Sequence, residues 1–281
     1  MPVYVLQVTC ADRAGIIHAL SGGIVAQGGN VLEQEQFSDL DTGLFFARTR
    51  FTCPGEDADV VRDGLASALE GFGASIALRA EAERPRMLIM VSQHDHCLVD
   101  LLYRWDAGEL PVDIVGIVSN HETCRPLAER HGIPFTHLPV TPASKPEQEA
   151  RLLDIVAQSA ADLVVLARYM QILSDDLCRQ LEGRAINIHH SFLPGFKGAR
   201  PYHQAHARGV KLIGATAHFV TADLDEGPII EQEVRRVTHR DTPEDLAEIG
   251  RDVERLALAR AVRLFAEDRV FLDGNRTVVF G

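Results

Sequence analysis

Three polar side chains in the second half of the chain are of the types that acyl chemistry needs. Asn187 and His189 close an apolar run, Ala185-Ile-Asn-Ile-His189, and Asp225 lies in a second segment, His218-Phe-Val-Thr-Ala-Asp-Leu-Asp-Glu-Gly227. Strand residues two apart share a face, so the Asn187 amide and the His189 imidazole can converge on one atom. An amide donates a hydrogen bond to a developing oxyanion, and an imidazole moves protons near neutral pH. A carboxylate beside the imidazole, here Asp225, favours its charged form and can orient a nucleophile. Each residue alone is more often a turn former, a cap or a satisfied structural group. Together, around the Phe192-Leu-Pro-Gly-Phe-Lys-Gly198 loop whose proline and glycines fix its path, they point to a polarised carbonyl and a proton transfer.

These side chains must be positioned by strands and helices, and the apolar spacing supplies candidates. Strands are expected at Val3–Cys10, Asn30–Asp39, Gly43–Cys53 and Ser75–Ala80, with helices at Ala14–Gln27 and Asp57–Phe72. The order βαββαβ is that of a ferredoxin-like domain, assigned to residues 1–83. The polar stretch Glu81-Ala-Glu-Arg-Pro-Arg86 breaks the pattern, and Pro85 marks the boundary. In residues 84–281, strands at Met87–Val91, Val112–Ser119, Leu163–Leu166 and Ala185–Ile188 alternate with helical segments. That alternation predicts a Rossmann-like α/β domain with a parallel sheet, its ligand lying beyond the carboxyl ends of the strands. Lys211–Val220 and Ile229–Val237 read as an antiparallel pair, and a long amphipathic helix, Pro243–Glu267, starts after Thr242.

Bulk properties exclude several classes. The chain has 281 residues, 46% of them hydrophobic and 24% charged, with a formal net charge of -12. That balance argues against nucleic acid as a partner, because phosphate binding needs a basic face. No apolar run approaches the ~20 residues of a membrane span, and Met1-Pro2 runs straight into a strand, so no membrane and a cytoplasmic location are expected. The five cysteines are scattered and read as reduced thiols. His189-His190 invites a zinc reading, but adjacent strand residues face opposite sides, so no metal is expected.

The Asn187-Ile-His189 motif, Ser191-Phe-Leu-Pro194, Phe196-Lys-Gly198 and His218-Phe-Val to Asp225-Glu-Gly227 resemble the formyltetrahydrofolate-dependent transferase family. His189-His-Ser-Phe-Leu-Pro194 followed by Lys197-Gly-Ala-Arg-Pro-Tyr-His-Gln204 is similar to the family's deformylase branch. Asp12-Arg-Ala-Gly-Ile16 and Gly29-Asn-Val31 make the N-terminal unit resemble an ACT domain. The resemblance implies hydrolysis of 10-formyltetrahydrofolate to tetrahydrofolate and formate, with folate as substrate and no cofactor. It implies that Asn187 binds the formyl oxygen, His189 transfers protons, and Asp225 holds the attacking water, with His218 supporting them from behind. Folate's pterin is implied to rest on two loops, Met170, Gln171, Ile172 and Leu173 on one side and Thr221, Ala222 and Asp223, running to Asp225, on the other. The ACT-like unit implies an amino-acid effector, glycine or methionine, where Gly15 and Asn30 approach each other, and a homo-oligomer. Whether the pathway is purine-linked or catabolic stays open.

The nucleophile is the remaining question. Transferases of this family cradle a substrate phosphate on a glycine-rich turn after the first strand, whereas this chain has Val91-Ser-Gln-His-Asp-His-Cys97 there, without glycine. Side chains block close backbone approach to a phosphate, which favours water as acceptor. His94 and His96 either fill part of the acceptor space or stand in solvent. Transfer to an amine and a non-catalytic amino-acid sensor remain as alternatives.

Overall fold

The segments Val3–Ala11 (β1), Asn30–Asp39 (β2), Leu44–Thr52 (β3) and Ser75–Ala80 (β4) build an antiparallel sheet of order β2-β3-β1-β4. A computed structural model describes residues 1–195 and 201–281. Helices Ile16–Ala26 (α1) and Ala58–Leu69 (α2) lay apolar stripes, Ile16, Leu20 and Ile24 on one and Val61, Leu65 and Leu69 on the other, onto Tyr4, Leu6, Val8 and Phe51. Asp57 caps α2, its carboxylate accepting from the Asp59 and Val60 amides. The expected βαββαβ order is the observed one.

A second unit begins at Pro85. Its elements are Arg86–Val91 (β5), His96–Asp106 (α3), Asp113–Ser119 (β6), Arg125–Arg130 (α4), Phe135–His137 (β7), Lys145–Gln158 (α5), Leu163–Leu166 (β8), Asp175–Gln180 (α6) and Ala185–His189 (β9). Pro201–Arg208 (α7), Leu212–Phe219 (β10), Ile229–Arg236 (β11) and Pro243–Ala266 (α8) follow. They form a seven-stranded sheet of order β11-β10-β9-β8-β5-β6-β7. Strands β5 to β9 pair in parallel, and their buried runs Leu88-Ile-Met-Val91 and Leu163-Val-Val-Leu166 show no alternation because both faces are covered. The expected parallel sheet is therefore mixed, since β10 pairs antiparallel to β9 and β11 antiparallel to β10. This edge pairing matters for the site: it sets His218 directly opposite Asn187.

Sheet order reverses at β5, with β6 on one side and β8 then β9 on the other, so the carboxyl ends of β8 and β9 lie beside the switch point. Helix α8 starts with a capping box between Thr242 and Asp245, where expected. Beyond it the chain makes a hairpin, Val270–Asp273 (β12) and Arg276–Val279 (β13), that the sequence reading lacks. Residues Asp268–Phe271 and Val278–Gly281 group with the first unit and Leu272–Thr277 with the second, so the second unit does not run unbroken to residue 281 as expected. The reason is aromatic: Phe271 packs edge-on against Phe46 and Phe280 in a small cluster of their own. Among the described residues, no helix is long and apolar enough to cross a membrane.

Candidate active site

Strand β9 ends at His189, and the two groups expected to share its face both reach a cavity of about 690 Å³ beyond the sheet edge. His189 is buried, and its Nδ1 lies 3.1 Å from Asp225 Oδ1. The carboxylate can only accept, so Nδ1 carries a hydrogen, and in the neutral ring Nε2 keeps its lone pair. That Nε2 is buried and has no hydrogen-bond partner among the described residues. An unpaired buried acceptor costs about 1–3 kcal/mol, a cost that functional sites carry and packing sites avoid.

Asp225 reaches His189 through a tight turn. Its φ is +58°, Glu226 N–H donates to the Asp223 carbonyl, and the Thr221 hydroxyl donates to the same carbonyl. The turn closes against the end of β10, where a Cβ at Gly227 would run into the Phe219 carbonyl. Only glycine fits there. Burial pushes the Asp225 carboxyl upward, but the hydrogen bond and charge of His189, with His218 beyond it, outweigh burial and hold it below the usual value. The carboxylate is therefore ionised throughout the neutral range.

His218 is the second imidazole of the site. Its Nδ1 lies 2.8 Å from the Phe219 carbonyl, which can only accept, so Nδ1 carries the hydrogen. Nε2 is then the acceptor for Asn187 Nδ2 at 3.2 Å. Burial first, opposed by that carbonyl and by Asp225, lowers the His218 pKa and keeps the ring neutral, as this arrangement requires. One N–H of the Asn187 amide is thereby spent on His218, and the other is free to point at a carbonyl oxygen in the cavity. His218 decides which way the amide faces.

Of the expected folate-contacting residues, Met170, Gln171, Ile172, Leu173, Thr221 and Ala222 line the cavity with Asn187, His189, His218 and Asp225. Asp223 does not; it serves the turn instead. The Met170 loop is pinned from β5: Ser92 Oγ accepts from Met170 N–H and donates to Asn120 Oδ1, and Ser92 N–H donates to the Arg168 carbonyl. So the glycine-free loop holds one wall of the cavity. Phe196, Lys197, Gly198 and Arg200 of the expected loop lie outside the described residues. The part before them is fixed by buried Thr216, which donates to the Ser191 carbonyl and accepts from Leu193 N–H.

Other expectations come out differently. Gly15 and Asn30 do not approach each other; Gly15 precedes α1 and Asn30 follows it, at opposite ends of an 11-residue helix. His190 does not face away from His189, because β9 stops at His189 and the next ring folds back to 5.0 Å from it. His94 is exposed, whereas His96 Nε2 sits 2.7 Å from Glu254 Oε2. Glu254, with Arg168 and Tyr202 around it, was not singled out in the sequence. Its signal was legible, an acid inside the buried stripe Gly250, Val253, Glu254, Ala257 and Leu258 of α8. His96, Cys97 and Glu254 stand close enough together to hold a metal ion. Their donor set fits one poorly: the Glu254 oxygens already engage His96 and Tyr202, and burial pushes the Cys97 thiol well above its usual value, away from the thiolate form.

Comparison with known proteins places this geometry. Residues 85–262 match the formyl transferase family model. A formyltetrahydrofolate deformylase of a Corynebacterium species is 49% identical over 280 residues, covering 98% of this chain and 97% of that protein. The crystal structure of a formyltetrahydrofolate deformylase from Burkholderia mallei is 54% identical, covers both chains completely and superposes with a TM-score of 0.96. A glycinamide ribonucleotide transformylase from Symbiobacterium toebii is 33% identical over 70% of this chain and 95% of its own, with a TM-score of 0.66. By identity and coverage, the chain belongs to the formyltetrahydrofolate deformylase family.

Proposed function

We propose that this chain hydrolyses 10-formyltetrahydrofolate to tetrahydrofolate and formate through Asn187, His189 and Asp225. The observation that carries the residue roles is the buried Nε2 of His189, a cavity-lining residue, which has no hydrogen-bond partner among the described residues while its other nitrogen is committed to Asp225. Water held by Asp225 attacks the formyl carbon as His189 Nε2 takes its proton. The carbonyl oxygen becomes an oxyanion and takes the free N–H of Asn187. His189, now charged beside the Asp225 carboxylate, returns the proton to N10 of the folate as the C–N bond breaks, and formate leaves. The pterin lies between the Met170–Leu173 loop and Thr221–Ala222. No cofactor enters these steps, and folate is the substrate.

The test is direct. Purified protein given 10-formyltetrahydrofolate alone releases formate and tetrahydrofolate in equal amounts; release only after an amine is added makes the chain a transferase.

The first unit is assigned as an ACT domain on its βαββαβ order and Asp12–Ile16 motif. Because Gly15 and Asn30 sit at opposite ends of α1, a glycine or methionine site there uses Gly15 of one copy and Asn30 of another, which makes the enzyme a homo-oligomer. Rates unchanged by either amino acid would remove that assignment. Five free, buried cysteines suit a reducing cytoplasm.

A further inference from the structure

Behind His190 lies a buried charged cluster for which the hydrolytic steps have no use. Glu254 is 1% exposed and gathers three partners: Tyr202 Oη donates at 2.7 Å, His96 Nε2 lies at 2.7 Å, and Arg168 Nε stands at 3.5 Å. Helix α8 carries this carboxylate, and α3, the segment after β8 and α7 send one side chain each to it.

Several features show that the cluster is costly to assemble. Arg168 has a φ of +64°, a conformation that a side chain disfavours. Its Nε and Nη1 are buried and find no hydrogen bond among the described residues. Tyr202 can dock only because residue 250 is glycine, since a Cβ there would collide with the phenol oxygen. Costs of this kind persist where a site needs them.

The cluster's outer members, Arg168 and Tyr202, line the same cavity as His189. The ring of His190 bridges them, 5.0 Å from His189 and 6.3 Å from Tyr202. Among the described residues, the folate loops and Asn187 line much of the rest of this cavity. The fold alone does not choose the nucleophile, since a protein named glycinamide ribonucleotide transformylase shares it.

We propose that the Glu254-centred cluster sets the nucleophile: Tyr202 and Arg168 fill the space an amine acceptor would occupy and leave room for water. This rests on the hydrolytic reading above. Where the wall is removed, an amine nitrogen attacks the formyl carbon, the C–N10 bond breaks, and the amine's proton passes through His189 Nε2 to N10. The products are a formamide and tetrahydrofolate, with no further reactant.

The experiment uses the full chain, 10-formyltetrahydrofolate and glycinamide as a small primary amine, and measures formate and formylglycinamide per tetrahydrofolate. Wild type and Tyr202→Phe, which keeps the ring, yield one formate per tetrahydrofolate at every amine concentration. Tyr202→Ala and Arg168→Ala raise the share captured by amine about tenfold or more over wild type, in proportion to amine concentration. Unchanged partition in a folded Tyr202→Ala or Arg168→Ala overturns the proposal. Amine capture by wild type overturns it too, whatever the variants do. Absence of formate from wild type without amine defeats the hydrolytic reading itself, a separate outcome.

Discussion

Two arginines, buried Arg48 in the first unit and largely buried Arg168 in the second, are treated in opposite ways. Arg48 on β3 lies in the sheet of the first unit with Nη1 2.7 Å from Glu33 and 3.5 Å from Glu35, and Arg269 joins the same carboxylates. Arg168, beside the cavity of the second unit, has Glu254 at 3.5 Å and two nitrogens without a hydrogen bond among the described residues. Buried charge is tolerated cheaply when its donors are used and at a cost when they are not. The unpartnered buried side-chain atoms found among the described residues, on Gln148, Arg168 and His189, all belong to the second unit. The first unit is built for stability, and the strand ends of the second hold groups ready for a reaction.

Breaking the reactive side gives the largest effect. His189→Ala lowers kcat by about 1,000-fold or more while an unreactive folate still binds, because proton transfer is lost and the walls remain. Steady-state rates with a fluorescence titration read both.

A smaller effect separates the two arginines. Arg48→Met leaves Glu33 and Glu35 short of a buried partner and costs about 3 kcal/mol of stability. Arg168→Met costs about 1 kcal/mol or less, since two of its nitrogens make no hydrogen bond among the described residues and Glu254 keeps His96 and Tyr202. Denaturant midpoints of the two variants check the contrast, and equal losses would erase it.

Acid sharpens the comparison further. Burial, then the charges of Arg168 and His189, pushes the His190 pKa down from 6.5 to about 4. The unfolded chain takes up a proton below pH 6.5 that the folded chain refuses, so stability falls as pH drops toward 4 and levels off below it. Between pH 7 and 5 this group accounts for about 2 kcal/mol, and His190→Gln flattens the slope by that amount. The smallest effect belongs to the first unit: Asp57→Ala removes the α2 cap, costs about 1 kcal/mol, and leaves kcat unchanged.

Much of this was legible in the sequence, for physical reasons. Strands β1 to β4 are bounded by turn residues, and α8 carries a capping threonine, so their spans could be read to within a residue or two. Asn187, His189 and Asp225 were legible by type and spacing. Short elements were not: β7 has three residues, and α6 and α7 have six and eight, too few to express a period. The orientation of Asn187 was illegible as well, since it depends on the register of β10 against β9 and on the tautomer of His218. Glu254 was legible as a buried acid from its place in the apolar stripe of α8, but its partners His96, Arg168 and Tyr202 were not, since they come from distant parts of the chain.

The central claim is that His189 and Asp225 act as one unit on the formyl group. The most direct measurement is kcat for His189→Ala, Asp225→Ala and the double variant, each folded and binding folate. The account predicts that the double variant is within a few-fold of His189→Ala, because removing the orienting carboxylate changes little once the imidazole is gone. Losses that multiply, or a His189→Ala enzyme turning over near the wild-type rate, would contradict it.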